Sequence, residues 1–289
     1  VAVRPLNMKM VKCIAGRKYD VAVADGFGTL PVGWALKKTG LIGNLIFVTT
    51  SHAFVCHRQI FRLMLRDVDG VIATSSIMRS LVKDLIGYKG PVGICFPIPN
   101  ITDFLKINPS INSRKACFIG TSKFHKGGDL LPKIAHMLHQ KTNMSKVYVI
   151  GHMQHYESNQ RREIEFLGHV TRKKMLKIVS ECSVYVHPAR IEAFGASVVE
   201  AMAAGLIPVV TSKTGAKDLV ELLDPDLVVR EDVDTISRKV IEVWSWKPEK
   251  RARLSNGAKN IIQDWANEKR NSFISSLKAI LNKKSTAPS

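Results

Sequence analysis

Residues 192–210 read EAFGASVVEAMAAGLIPVV, and the two glutamates in this stretch, Glu192 and Glu200, are the side chains best spaced for chemistry. Just ahead, Val184–His187 (VYVH) has the composition of a short strand, and Pro188-Ala189-Arg190-Ile191 leads off its end. Phe194-Gly195-Ala196-Ser197 opens a helix that runs through Ala204 and stops at Gly205, a residue suited to a C-terminal cap. The next strand is Ile207–Val210. Glu192 therefore falls in a loop at the carboxyl end of a strand, and Glu200 lies one to two turns into the helix. Between them the first amides of the helix lack intrahelical partners and carry partial positive charge. Gly195 lets a ligand approach that backbone closely, and a diphosphate can rest on such amides. Each carboxylate can accept two vicinal hydroxyls. The spacing suits a sugar–diphosphate–ribose chain, with Glu192 at the sugar, the amides around Phe194–Ser197 at the phosphates and Glu200 at the ribose. On this stretch alone, an ordinary strand–loop–helix with Glu192 complementing the helix dipole is the alternative.

Elements of the right kind surround it. Short β-branched runs occur at Val21–Ala24, Leu45–Thr50, Gly70–Thr74, Val92–Phe96, Ala116–Ile119, Lys146–Ile150 and Leu227–Val229. Amphipathic segments lie between them at Val55–Arg66, Ile77–Ile86, Asp129–His139 and Thr171–Glu181. Such alternation predicts an α/β chain with parallel sheets covered on both faces. The turn-rich stretch from Pro97 to Asn100 and from Asn108 to Ser113 sets the boundary between two doubly wound domains, 1–102 and 103–264. They are expected to face each other across a ligand-binding cleft. From Arg251 the chain reads as helical up to the polar tail Ser285–Ser289, and a helix over 265–284 is available to complete the first domain.

The bulk numbers narrow the partner classes. The 289 residues are 45% apolar and 23% charged, which describes a globular chain and excludes a disordered one. The net charge of +19 favours a phosphate-bearing partner: a nucleotide, an anionic lipid surface or nucleic acid. The excess is spread along the chain, with 13 basic and 5 acidic residues in 1–100 and 30 and 19 in the rest. Few aromatics interleave the basic clusters, so a nucleic-acid groove is disfavoured against a self-repelling surface. The ladder Arg58, Arg62, Arg66 with Ile60, Phe61 and Met64 fits either a surface helix with a core face or peripheral docking on anionic lipid. Five scattered cysteines, Cys13, Cys56, Cys95, Cys117 and Cys182, form no Cys-x-x-Cys and fit reduced thiols in the cytoplasm. No apolar run approaches the roughly 18 residues of a membrane span. His152-Met153-Gln154-His155 and the pair His136 and His139 raise a zinc reading, but nothing completes four ligands, so no metal is expected. Glu163 and Glu165 read as surface charges. Glutamate is absent from 1–100, which leaves Asp25, in ADGFG, with Gly26 beside it, as the candidate acceptor contact.

The stretch HPARIEAFGASVVEAMAAGLIPVV resembles the signature of retaining glycosyltransferases with two Rossmann-like domains, the GT-B fold of glycosyltransferase family 4. Weaker landmarks follow in order: VTTSHAF (48–54), DVDGVIATS (67–75), PIPNITDF (97–104), FIGTSKFHKGGDLL (118–131), YVIG (148–151) and FLGHV (166–170). The resemblance covers roughly 20 to 265. It implies transfer of a sugar from a UDP- or GDP-linked donor to a hydroxyl acceptor (a sugar, a polysaccharide or a lipid-linked group), with retention and without metal or cofactor. It further implies catalytic roles for His52 and Glu192, and donor sugar and diphosphate contacts from Thr121, Lys123, Lys126, Phe194, Gly195, Ala196 and Ser197. Glu200 would hold the ribose, and Gly151, His152, Leu167 and Gly168 the base. Thr121 stands where the family usually has arginine, Ile101 replaces a glycine, and Gly215-Ala216 replaces Gly-Gly. The family's first strand and glycine-rich loop have no counterpart here, so either the N-terminal domain is reduced or residues ahead of Val1 are missing. Two rivals remain open: a non-catalytic sugar-nucleotide-binding relative, and a basic nucleic-acid-binding protein.

Overall fold

The computed structural model describes residues 17–52, 57–121, 123–142, 144–153, 162–269 and 272–285. The chain divides into two compact units, Val1–Pro97 with Lys269–Ser289, and Ile98–Glu268.

In the first unit, β1 (Tyr19–Asp25), β2 (Ile42–Thr49), β3 (Gly70–Ala73) and β4 (Val92–Ile94) form one sheet in that order, every neighbouring pair parallel. Helices α1 (Leu30–Lys38), α2 (Arg58–Leu65) and α3 (Ser76–Ser80) connect them, and α3 runs on into a π turn over Leu81–Leu85. Ser75 starts α3 by accepting a hydrogen bond from the Met78 amide at 3.2 Å. The helix Ser272–Ser285 closes this unit. Its Ile280 is buried in one cluster with Ile46, Val48 and Ile72, and its Ser276 hydroxyl donates to the Ile94 carbonyl at 3.3 Å.

The second unit carries a sheet of six strands, β5 (Lys115–Ile119), β6 (Lys146–Ile150), β7 (Ile164–Phe166), β8 (Val184–His187), β9 (Ile207–Thr211) and β10 (Val228–Val229). All pairs are parallel and the spatial order is β10-β9-β8-β5-β6-β7. Its helices are α4 (Thr102–Leu105), α5 (Leu131–Thr142), α6 (Arg172–Glu181), α7 (Ala196–Ala203), α8 (Lys217–Leu223), α9 (Val233–Ser245) and α10 (Pro248–Lys269). Ser272–Ser285 is then α11. The central strands VYVH and IPVVT are buried along their whole length, as strands covered on both faces must be. Thr171 caps α6 and Asp232 caps α9 through side-chain oxygens.

Most differences from the sequence expectation lie at ends. The helix expected over Asp129–His139 begins at Leu131 and reaches Thr142, because Gly127 turns left-handed (φ 68°) and Gly128–Leu130 forms a 3-10 turn first. The helical ending starts at Pro248, before Arg251. Strand β7 was not expected: three residues, Ile-Glu-Phe, leave too little alternation to read. Its neighbourhood also corrects the reading of Glu163 and Glu165 as plain surface charges. Glu165 pairs with Lys146 on the adjacent strand, and Glu163 lies 3.6 Å from His136.

Candidate active site

In a parallel sheet every carboxyl end lies on the same edge, so the loops after β5, β6, β7, β8 and β9 gather there. The chain runs outward through β5, β6 and β7, then returns to place β8 on the other side of β5. Strand order reverses at that point, and loops diverging from such a reversal leave a crevice. Lys126, from the loop after β5, and Glu192, from the loop after β8, meet there as an ion pair.

The two loops are fastened together. A Cβ on Gly127 would run into the Pro188 carbonyl oxygen, so only glycine permits this approach. The backbone amides of Arg190 and Ile191 both donate to the His125 carbonyl, at 2.8 and 3.1 Å. The Arg190 guanidinium grips both oxygens of Asp129 at 2.7 and 2.8 Å, donates to the Phe124 carbonyl at 2.8 Å, and lies 3.8 Å from the Phe124 ring centre. On the other flank, the Glu192 amide donates to the Lys213 carbonyl and the Gly215 amide to the Glu192 carbonyl, both at 3.0 Å. Glu192 is thereby held by the loop after β9 as well as its own.

Its side chain is only 12% exposed. Burial disfavours the charge, but the His187 ring, with Nε2 3.6 Å from the carboxylate, and the positive charge of Lys126 outweigh it and hold the pKa at about 2. His187 is completely buried, which pushes its pKa down; Glu192 pulls the other way and Lys126 adds to the lowering. The imidazole Nε2 lies 3.6 Å from Glu192 Oε2, and Nδ1 lies 3.3 Å from the Tyr185 hydroxyl, which donates to Ser197 Oγ at 2.8 Å. A polar line thus runs from Glu192 through β8 to the first turn of α7.

Helix α7 starts at Gly195, left-handed at φ 96°, without a capping side chain. Ala196 is exposed and Ser197 half-buried, so the start of the helix is open to solvent. Glu200, half-buried in the next turn, has its pKa raised by burial, opposed in part by Arg172. Phe194 is buried, with its ring 6.2 Å from Trp265 of α10. Thr121 is half-buried just past β5, and Lys123 is exposed in the same loop as Lys126. Farther along the edge, Gly151 donates to the Gly168 carbonyl at 2.8 Å and Leu167 to the Val149 carbonyl at 2.9 Å. That bridge aligns His152 with His169, whose rings lie nearly parallel with centres 6.2 Å apart. His169, Tyr185, His187 and the Arg190–Asp129 clamp were not singled out in the sequence. Their only signal was position: Tyr185 and His187 alternate on one face of β8, two residues apart, and Arg190 precedes Glu192 by two.

In the first unit, Asp25 is exposed at the carboxyl end of β1, and His52 is half-buried just beyond β2, the strand beside it. Gly26 turns left-handed at φ 75° with its amide on the Val48 carbonyl at 3.0 Å. The ladder helix α2 divides between core and surface. Phe61 and Met64 are buried in the core, leaving Ile60 and Leu63 exposed. Arg62 donates to the carbonyls of Leu85 and Ile86 at 2.9 and 3.0 Å, so it serves the fold. Cys95, Cys117 and Cys182 are free thiols. Cys13, Cys56, Gln154, His155, the start of the Val55–Arg66 segment and the tail beyond Ser285 lie outside the described residues. Among the described residues, no helix is long and apolar enough to cross a membrane.

A family model described as glycosyl transferases group 1 matches residues 101–261. No curated protein matches the chain. Solved structures with a similar fold include a sucrose-phosphate synthase from Thermosynechococcus elongatus, 16% identical, with a TM-score of 0.72 over 92% of this chain and 74% of that one. A trehalose-6-phosphate structure from E. coli, bound with UDP-2-fluoro glucose, is 14% identical with a TM-score of 0.73 over 93% and 75%. A trehalose-6-phosphate synthase studied for glycosyl transfer with retention is 14% identical with a TM-score of 0.74 over 94% and 76%. At these identities the likeness speaks for the fold alone: parallel α/β, of the GT-B kind.

Proposed function

Since the chain belongs to the glycosyl transferases group 1, we propose that it moves a sugar from a nucleotide diphosphate sugar to a hydroxyl acceptor. The finer reading is a retaining, metal-independent hexosyltransferase of family 4 with a UDP- or GDP-linked donor. The observation that carries it is the Lys126–Glu192 pair at the reversal of strand order, next to the open start of α7. Glu192, charged at neutral pH, accepts hydroxyls of the donor sugar. The amides of Ala196 and Ser197, with Lys126, Lys123 and Thr121, take the diphosphate, and Gly195 permits its approach. Glu200 holds the ribose, and the base lies along Gly151, His152, Leu167 and Gly168. His52 acts as a catalytic residue, and Asp25 and Gly26 contact the acceptor.

As the glycosidic bond breaks, negative charge grows on the leaving diphosphate. Fixed donors at that point stabilise it, each being worth roughly 2–4 kcal/mol of barrier. The departing diphosphate takes the acceptor proton on the same face, which retains the anomeric configuration. The similar fold of a structure with bound UDP-2-fluoro glucose and of a synthase studied for transfer with retention supports, without deciding, donor class and stereochemistry.

A thermal-shift panel of nucleotides and nucleotide sugars tests the reading, because a ligand that binds the native state raises its melting point. A uridine or guanosine diphosphate is expected to stabilise the protein, and Lys126→Ala to erase most of that gain. Adenosine and cytidine nucleotides serve as controls. Equal shifts with every nucleotide, or full stabilisation of the Lys126→Ala variant, would refute the site. The anomeric configuration of the product, read by NMR against that of the donor, decides retention.

A further inference from the structure

His187 is completely buried at the carboxyl end of β8, and both nitrogens of its ring face hydrogen-bond acceptors. Nε2 faces Glu192 Oε2 at 3.6 Å. Nδ1 faces the Tyr185 hydroxyl at 3.3 Å, and that hydroxyl donates to Ser197 Oγ at 2.8 Å, with the Ile119 carbonyl at 3.4 Å as a second acceptor. A neutral imidazole satisfies both contacts only as the Nε2–H tautomer with the Tyr185 proton turned to Nδ1 and away from Ser197, whereas an imidazolium satisfies both while Tyr185 donates to Ser197. Burial and Lys126 both disfavour the charged ring in the free protein, against the pull of Glu192. The charged and titratable groups that face it are Tyr185 on its own strand, Glu192 on the following loop and Lys126 on the turn after β5. Phe118 of β5 stacks on it at 5.9 Å and brings no charge.

We propose that His187 takes up a proton when an anionic diphosphate at the start of α7 draws Lys126 off Glu192. The charged ring then holds the Glu192 carboxylate and the Ser197 hydroxyl in their binding geometry. His187 is thus a positioning residue, and its action rests on the donor reading above. The proton comes from water and lands on whichever ring nitrogen lacks one; no other bond is made or broken. With Lys126 turned to the phosphates, the Glu192 charge is left for His187 to balance. Tyr185 then accepts from Nδ1–H and donates to Ser197, which frees the Ser197 hydrogen for a phosphate oxygen. With the neutral Nε2–H tautomer, Tyr185 turns its proton to Nδ1 and Ser197 must donate inward. Proton uptake therefore fixes Ser197 as a donor at the ligand, where the neutral ring leaves both arrangements open.

Calorimetric titration of the full chain with UDP-glucose tests this, in two buffers of different ionisation enthalpy, between about pH 6 and pH 8. In this probe the diphosphate is a diester and does not itself titrate there; GDP-mannose serves as a second probe. Uptake approaching about one proton per ligand is expected near neutrality, with affinity falling up to about tenfold per pH unit on the alkaline side. His187→Asn keeps a side-chain donor but cannot titrate, so uptake should vanish and the pH profile flatten. Should that variant fail to fold, Tyr185→Phe, which removes the acceptor at Nδ1, is expected to cut the uptake at least by half. Binding with no proton uptake by the wild type overturns this proposal and leaves the donor reading standing, as does wild-type uptake in His187→Asn. Failure of both nucleotide sugars to bind overturns the donor reading and this proposal with it.

Discussion

Replacing Glu192 by glutamine tests the electrostatic core of the site without changing its shape. In the folded chain the carboxyl group titrates at about 2 against an ordinary 4.5. At about 1.4 kcal/mol for each tenfold, its charged form is stabilised by roughly 3 kcal/mol at neutral pH. With the side chain 12% exposed, solvent screening removes little of this. The amide of the variant keeps an acceptor oxygen toward His187, so a net loss of about 2–3 kcal/mol is expected. Because the folded value lies below the unfolded one, the contribution is complete above about pH 4.5 and drains away as pH falls toward 2. Urea unfolding of wild type and variant, followed by near-UV circular dichroism, should show the full gap at about pH 7 and less than half of it at about pH 3. Equal stability at neutral pH, or a gap that does not shrink in acid, would show that Lys126 and His187 do not hold this carboxylate charged.

Two further substitutions probe how the loops are fastened. Gly127→Ala forces a left-handed backbone on a residue with a Cβ and drives that Cβ into the Pro188 carbonyl oxygen. The cost should be roughly 1–3 kcal/mol or more, seen as a melting point lowered by several degrees, together with weakened nucleotide-sugar binding. Arg190→Lys keeps the charge but loses the two-pronged grip on Asp129 and the contact with the Phe124 carbonyl. Donor affinity measured by calorimetry should fall several-fold with a much smaller change in melting point, since the clamp positions the Lys126 loop without filling the core.

The α/β architecture was legible because its signal is redundant. Parallel strands buried on both faces must be short apolar runs, and Lys146–Ile150 and Val184–His187 begin and end where their composition changes. Strand β7 escaped because three residues with a central glutamate carry no such signal. The left-handed Gly127 moved a helix start by two residues, since the sequence does not say which glycine of Lys-Gly-Gly turns. Helix α2 shows a further limit. A four-residue arginine ladder reads as one charged face, yet Arg62 is spent on the carbonyls closing the neighbouring π turn. Its partners lie more than twenty residues away, and spacing along one helix does not reveal them.

The two glutamates of the opening motif show where motif reading stops. They have the same side chain and share one loop-helix unit, yet their environments act in opposite directions. Glu192 is buried beside a lysine and a histidine that keep it charged, while Glu200 is half-buried and pushed toward its neutral form, with Arg172 opposing that only in part. A carboxylate can only accept, whereas a carboxylic acid can also donate. Glu192 is therefore held as an acceptor, whereas burial shifts Glu200 toward the form that can also donate. The lysine that makes the difference comes from the loop after β5, sixty-six residues earlier, and the histidine from the inward face of β8. Neither is visible in the spacing of the glutamates. Only the reversal of strand order at β5 and β8 brings them together, so the chemistry of the motif is set by the sheet's topology as much as by the motif itself.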